Sequence, residues 1–171
     1  MGEHQAYLSI GSNIGDKKRN LDDAINMMAD HEKIEVVDIS SFYITEPQNF
    51  KAQDWFLNAA VKIKTSLAPE ALLTVLKQIE KNMNKDGKEF RFGPRTIDLD
   101  IIYYHNLIFK NGTLEIPHPR MHERCFVLVP LCDIGSQEIH PVFNLRSDEL
   151  LKRIEQQETQ KVILLKKRGV I

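Results

Sequence analysis

The chain has 171 residues, of which 42% are hydrophobic and 27% charged, enough to bury one core of ordinary soluble composition. Its net charge of −1 argues against a general nucleic-acid or membrane-surface binder. No apolar run reaches the length of a membrane span, the N-terminus has no signal pattern, and Ala6 breaks a myristoylation motif. Two cysteines, Cys125 and Cys132, make neither a disulfide framework nor a zinc site, so the expected compartment is the reducing cytoplasm.

Residues 6–10 read as a short strand, broken by Gly11-Ser12-Asn13. Asp16 is the expected N-cap of a helix with Leu21, Ala24, Ile25 and Met28 on its buried face. Residues 34–43 read as one β-branched strand. A polar stretch, 45–54, follows and is long enough to be a functional loop. Residues 55–63 form the next strand. Asn58 stands in its apolar run, either as a hydrogen-bonded core amide or as a group that pairs with a heterocycle edge.

Pro69 opens a second helix, with Leu72, Val75, Leu76, Ile79 and Met83 in one stripe and Glu80 off it. Between positions 81 and 95, five cations (Lys81, Lys85, Lys88, Arg91, Arg95) face two carboxylates (Asp86, Glu89). That surplus suits either a solvated helix end or a phosphate-binding loop.

Gly93-Pro94 then stops the helix, and Ile97, Leu99 and Ile101 alternate with Asp98 and Asp100. On a strand these carboxylates share a face, Cβ atoms roughly 7 Å apart. Many such pairs are solvated, but this strand continues into Ile102-Tyr103-Tyr104 and reads as buried. A buried pair needs a positive partner, and a hard divalent cation with bound phosphates fits.

Asn111-Gly112 signals a hairpin. The run 117–124 is a rigid turn whose histidines either bind phosphate or lie on the surface. Residues 126–131 are a buried segment, Ser147 is the expected cap of a last helix, and 162–165 form an edge strand ahead of a basic tail. The order βαββαβ predicts an α+β ferredoxin-like sandwich with an added C-terminal helix and short strands, one domain over 1–171.

Five strings carry a family resemblance: L-S-I-G-S-N-I-G-D at 8–16, S-F-Y-I-T-E-P at 41–47, F-L-N-A-A-V at 56–61, F-G-P-R-T-I-D-L-D-I at 92–101, and P-H-P-R-M at 117–121 leading to Arg124 and Phe126. Over residues 5–157 the chain resembles the 6-hydroxymethyl-7,8-dihydropterin pyrophosphokinases of folate biosynthesis. The resemblance implies transfer of pyrophosphate from ATP to the pterin hydroxymethyl group, with release of AMP and use of two Mg²⁺ ions. It implies that Asp98 and Asp100 bind the metals and act in catalysis with Arg95 and Lys85. It places Glu80, Lys85, Arg95, Ile101, His118 and Arg124 near ATP, and Gly11, Thr45, Pro47, Phe56, Asn58 and Phe126 at the pterin.

The chain departs from the family at Lys85, commonly Arg, at Phe92, usually Trp, at Phe56, often Tyr, and at Pro119, Tyr in some members. These substitutions bear on nucleotide affinity and leave the metal ligands in place. The expected partners are the two small substrates, without nucleic acid, membrane or an obligate protein, in a free-standing enzyme. Loops 45–54 and 82–92 are expected to close over them and exclude water. Two other classes share such a pattern: a metal-dependent nucleotidyl transferase or cyclase, attacking the α-phosphorus, and a ferredoxin-like binding module without chemistry.

Overall fold

Strand alternation organises the molecule. In a computed structural model, which describes residues 2–84, 93–157 and 160–166, β1 (His4–Ser12) and β4 (Phe56–Thr65) form the centre of a six-stranded antiparallel sheet, and β5 (Asp98–Tyr104) lies at its edge beside β1. Its order is β5-β1-β4-β3-β8, with β3 spanning Phe42–Thr45 and β8 spanning Val162–Lys166. The remaining strand, β2 (Ile34–Ile39), also pairs with β4. On one sheet face Leu8, Ile10, Leu57, Ala59, Val61, Ile63, Leu99 and Ile101 pack beneath α1 (Lys17–Ala29) and α2 (Pro69–Met83). This is the expected βαββαβ arrangement.

Asp16 caps α1 by accepting from the Arg19 N–H at 3.1 Å, and Leu21, Ala24, Ile25 and Met28 are the buried residues. Pro69 opens α2. The hairpin forms as β6 (Phe109–Lys110) and β7 (Glu115–Ile116).

Four expectations change. Gly11 and Ser12 do not break β1, because both remain paired with β4. The stretch 34–43 is two strands. Ser40 interrupts the ladder by accepting the Ala60 N–H on its hydroxyl at 2.8 Å, and it donates that hydroxyl to the Ser41 carbonyl at 2.7 Å. The buried segment 126–131 lies inside a helix, α3 (Cys125–Gly135), so two helices rather than one follow the sheet. The second is α4 (Ser147–Glu155), and its N-cap is Arg146, not Ser147. The Glu149 carboxylate accepts the Arg146 N–H at 2.8 Å, while the Ser147 hydroxyl donates to the Glu138 carbonyl.

Helices α3 and α4 cover the second sheet face at the end holding Tyr7, Ala60, Ile102 and Tyr103. A Cβ on Gly135 would sit 2.8 Å from the Tyr7 ring, so glycine lets α3 lie this close. The same face carries Gly11, Asn58, Asp98 and Asp100 at its other end, and there it opens as a cleft.

The cleft edge is fixed by Asn84 at the end of α2. Its amide oxygen accepts the N–H groups of Thr96 (3.0 Å) and Ile97 (3.3 Å), and its Nδ2 donates to the Ile97 carbonyl at 3.2 Å. Asn84→Ala leaves these groups without that partner. It is expected to cost about 1–3 kcal/mol of stability, read by urea unfolding.

Candidate active site

The floor of the site follows from register. Gly11 pairs across the sheet with Asn58 on one side and Asp98 on the other, and Ser9 pairs with Ala60 and Asp100. Small residues on β1 therefore separate the carboxylates from the amide. A Cβ at Gly11 would overlap the Asn58 amide oxygen, so only glycine leaves this oxygen its place.

Around this floor lies a cleft of about 360 Å³. Its acidic side holds Asp98, Asp100 and Glu80. Glu80 comes from α2, where its off-stripe position turns it toward β5, and it accepts the Leu99 N–H at 2.7 Å. Burial, then the charge of Asp100, pushes the Asp98 carboxyl up to about 6. The Asp100 and Glu80 carboxyls are also raised, chiefly by burial. Carboxylates sharing one partly dry face want a cation, and all-oxygen donors suit a hard one.

Arg95 and Arg124 line the same cleft. Asn13 sets the Arg95 backbone by a pair of bonds: its Oδ1 accepts the Arg95 N–H at 2.8 Å, and its own N–H donates to the Arg95 carbonyl at 3.1 Å. Arg124 precedes α3 and lies 5.5 Å from the Phe126 ring centroid. Burial and the nearby Arg120 lower its proton affinity.

The other side of the cleft holds Thr45, Pro47, Phe56, Asn58 and Phe126. Asn58 is buried and donates its Nδ2 to the Thr45 hydroxyl, itself 1% exposed. This bond fixes the orientation of the amide. The polar loop after β3 contributes Gln48, Asn49 and Gln53 to the rim. It is anchored where Asn13 donates to the Gln53 amide oxygen at 2.8 Å and Lys17 reaches Asp54 and the Trp55 carbonyl at 2.7 Å each.

Eleven of the residues expected at the site thus line one cleft: Gly11, Thr45, Pro47, Phe56, Asn58, Glu80, Arg95, Asp98, Asp100, Arg124 and Phe126. Two do not. The Ile101 side chain, 3% exposed, packs in the core beneath the helices, which leaves only its backbone for a ligand. His118 lies beside the cleft lining, its Nδ1 accepting the Arg120 N–H at 3.1 Å. Burial, with Arg124 and Arg120 nearby, lowers its imidazole to about 4 and keeps it neutral. Lys85, Lys88, Arg91 and Phe92 lie outside the described residues.

The sequence reading missed Lys77, which lines the acidic side, and Asn13 and Asn84, which hold the segment before Asp98. Lys77 had one available signal, its placement one turn before Glu80.

Comparison with known proteins gives the chain's family and fold. The family described as 7,8-dihydro-6-hydroxymethylpterin-pyrophosphokinase matches residues 7–136. The 2-amino-4-hydroxy-6-hydroxymethyldihydropteridine pyrophosphokinase of Bacillus subtilis is 40% identical over 154 residues, covering 90% of this chain and 92% of that protein. The folic acid synthesis protein of Dictyostelium discoideum is 45% identical over 150 residues, 87% of this chain but 22% of its own length. A crystal structure of Plasmodium falciparum HPPK-DHPS shares the fold, with a TM-score of 0.72 at 15% identity, over 91% of this chain and 47% of that one. The match reaches from β1 to the end of α3 and takes in all the strands and helix ends that build the cleft, so the chain belongs to the 7,8-dihydro-6-hydroxymethylpterin-pyrophosphokinase family.

Proposed function

We propose that this chain transfers the pyrophosphoryl group of ATP to the hydroxymethyl group of 6-hydroxymethyl-7,8-dihydropterin, releasing AMP, in the biosynthesis of folate. The observation that carries this reading is the sheet register. It sets the Asp98–Asp100 pair and the Asn58 amide on one floor, separated by Gly11.

The roles follow from chemistry. Asn58, held by Thr45, presents a fixed amide to the pterin edge. Phe56 and Phe126 supply aromatic surface for the ring, with Gly11 and Pro47 beside it. Arg95 and Arg124 take the triphosphate, joined by Lys85 from outside the described residues. Glu80, His118 and the Ile101 backbone complete the ATP side. His118, being neutral, serves as a hydrogen-bonding group without charge.

Asp98 and Asp100 are the residues that would hold Mg²⁺, two ions in this reading, and their donor set fits it. Bound there, the metal would offset charge on the attacking and leaving oxygens. The acceptor hydroxyl oxygen bonds to the β-phosphorus, its proton is lost, and the bond from that phosphorus to the α–β bridging oxygen breaks. The protein's own work is positioning and charge stabilisation. Loops 45–54 and 82–92 would close over the substrates, most of the second lying outside the described residues.

We place the activity in the cytoplasm, in a single domain over 1–171 that acts without an obligate protein partner. Cys125 and Cys132 form no disulfide, which supports a reducing compartment. Among the described residues, no helix is long and apolar enough to cross a membrane.

The pH dependence has a definite sign. Raising the Asp98 carboxyl to about 6 favours its protonated form in the metal-free fold. That contribution to stability is full below the ordinary carboxylate range and is lost as pH rises through about 6. A cation needs the ionised pair, so Mg²⁺ affinity rises over the same window and binding releases protons. Calorimetry at about pH 5 and about pH 7 should show weaker binding at the lower value. Equal affinity at both would contradict the assignment of Asp98.

The activity itself is tested by product analysis. With both substrates and Mg²⁺, AMP should accumulate in step with pterin consumption and stop on adding chelator. Free pyrophosphate would instead identify attack at the α-phosphorus.

A further inference from the structure

Lys77 has no part in the roles above. It lies on α2, and its ammonium donates to both Glu80 carboxylate oxygens at 3.1 Å. Glu80 is held in place by its bond to the Leu99 N–H. Lys77 is the freer partner: half of its side chain is exposed (50%), against 15% for Glu80. An i,i+3 pair on an outer helix surface contributes little. This pair instead faces the cleft, where Lys77 lines the same wall as Asp98 and Asp100 and its charge acts on both. Arg95 and Arg124 add positive charge there, but each stands in a backbone setting of its own beside Asn13 or at the start of α3.

We propose that the Lys77 ammonium, held on Glu80, is a resident counter-ion of the carboxylate pair, offsetting part of the charge of Asp98 and Asp100 while no divalent ion is bound and competing with the first ion to enter. The proposal rests on the reading of Asp98 and Asp100 as metal ligands. Lysine suits the task, since it carries a point charge on a flexible stem that can swing while its ammonium exchanges the Glu80 oxygens for other acceptors. An ion entering alone meets this positive charge. An ion entering with a nucleotide brings phosphates that satisfy both. Lys77 therefore couples metal loading to ATP and holds down the affinity for metal alone.

The test uses Mn²⁺ as the probe, titrated without nucleotide and followed by the magnetic resonance signal of the free ion. Lys77→Met keeps the length and helix propensity of the side chain but not its charge. It should bind Mn²⁺ about tenfold more tightly than the native chain. Lys77→Gln, a second neutral variant that keeps a donor for Glu80, should do the same, and Lys77→Arg should match the native chain. Thermal unfolding should show Mn²⁺ stabilising Lys77→Met more than the native protein. Neutral variants that bind Mn²⁺ no more tightly than the native chain overturn the role of Lys77 and leave the metal site standing. No Mn²⁺ binding by either, or binding unchanged by Asp98→Asn, overturns both.

Discussion

Replacing Asp98 and Asp100 together by alanine is expected to lower kcat/KM by at least about 10³-fold, because the charge stabilisation a metal supplies is worth several kcal/mol. The loss should come without loss of fold. Both carboxyls are raised by burial, and each also feels a like charge, Asp98 that of Asp100 and Asp100 that of Glu80. Asp98 shares a side-chain hydrogen bond with Glu80, and Glu80 keeps its anchor on the Leu99 N–H in the variant. The metal-free variant should unfold at or above the temperature of the native chain, and Mg²⁺ should no longer stabilise it. Steady-state kinetics with thermal unfolding in Mg²⁺ and in chelator checks both parts. Full turnover in the double variant would overturn the assignment of Asp98 and Asp100 to the reaction.

Asn58→Leu should act on the other substrate. The side chains are close in size, so the floor stays filled, but the amide and its bond to Thr45 are gone. The Thr45 hydroxyl, 1% exposed, loses that partner, and stability should fall by about 1–3 kcal/mol. A site built to hydrogen-bond a polar edge is penalised when one side lacks its group, so KM for the pterin should rise by about 10²-fold. Nucleotide affinity should stay within about twofold, since the register puts Asn58 across Gly11 from the carboxylates. Kinetics with varied pterin, beside calorimetry with an ATP analogue, separates the two. An equal loss in ATP affinity would mean that Asn58 holds the sheet and not the acceptor.

Most of this site was legible in the chain, for a physical reason. A strand faces its residues alternately, so D-L-D puts two carboxylates on one side whatever surrounds it. Glu80 was legible as a charge off an apolar helical stripe. The less legible parts depend on tertiary contacts. Helix α3 holds Val127, Val129 and Pro130 in its interior, residues that argue locally against a helix, and burial against the sheet overrides them. Ser40 splits a strand because its hydroxyl takes the Ala60 N–H, a bond between residues 20 positions apart. Asn13 and Asn84 read as ordinary turn residues until the segment before Asp98 is laid against them. Lys77 reads as half of a surface pair until β5 is docked on α2.

The proposed function makes one central claim about chemistry: the pterin hydroxyl attacks the β-phosphorus of ATP over the Asp98–Asp100 floor. Isotope labelling tests it most directly. With oxygen-18 in the acceptor hydroxymethyl group, phosphorus magnetic resonance should find the label in the bridge between pterin carbon and diphosphate, beside unlabelled AMP. A labelled pterin–AMP ester accompanied by free pyrophosphate would contradict it.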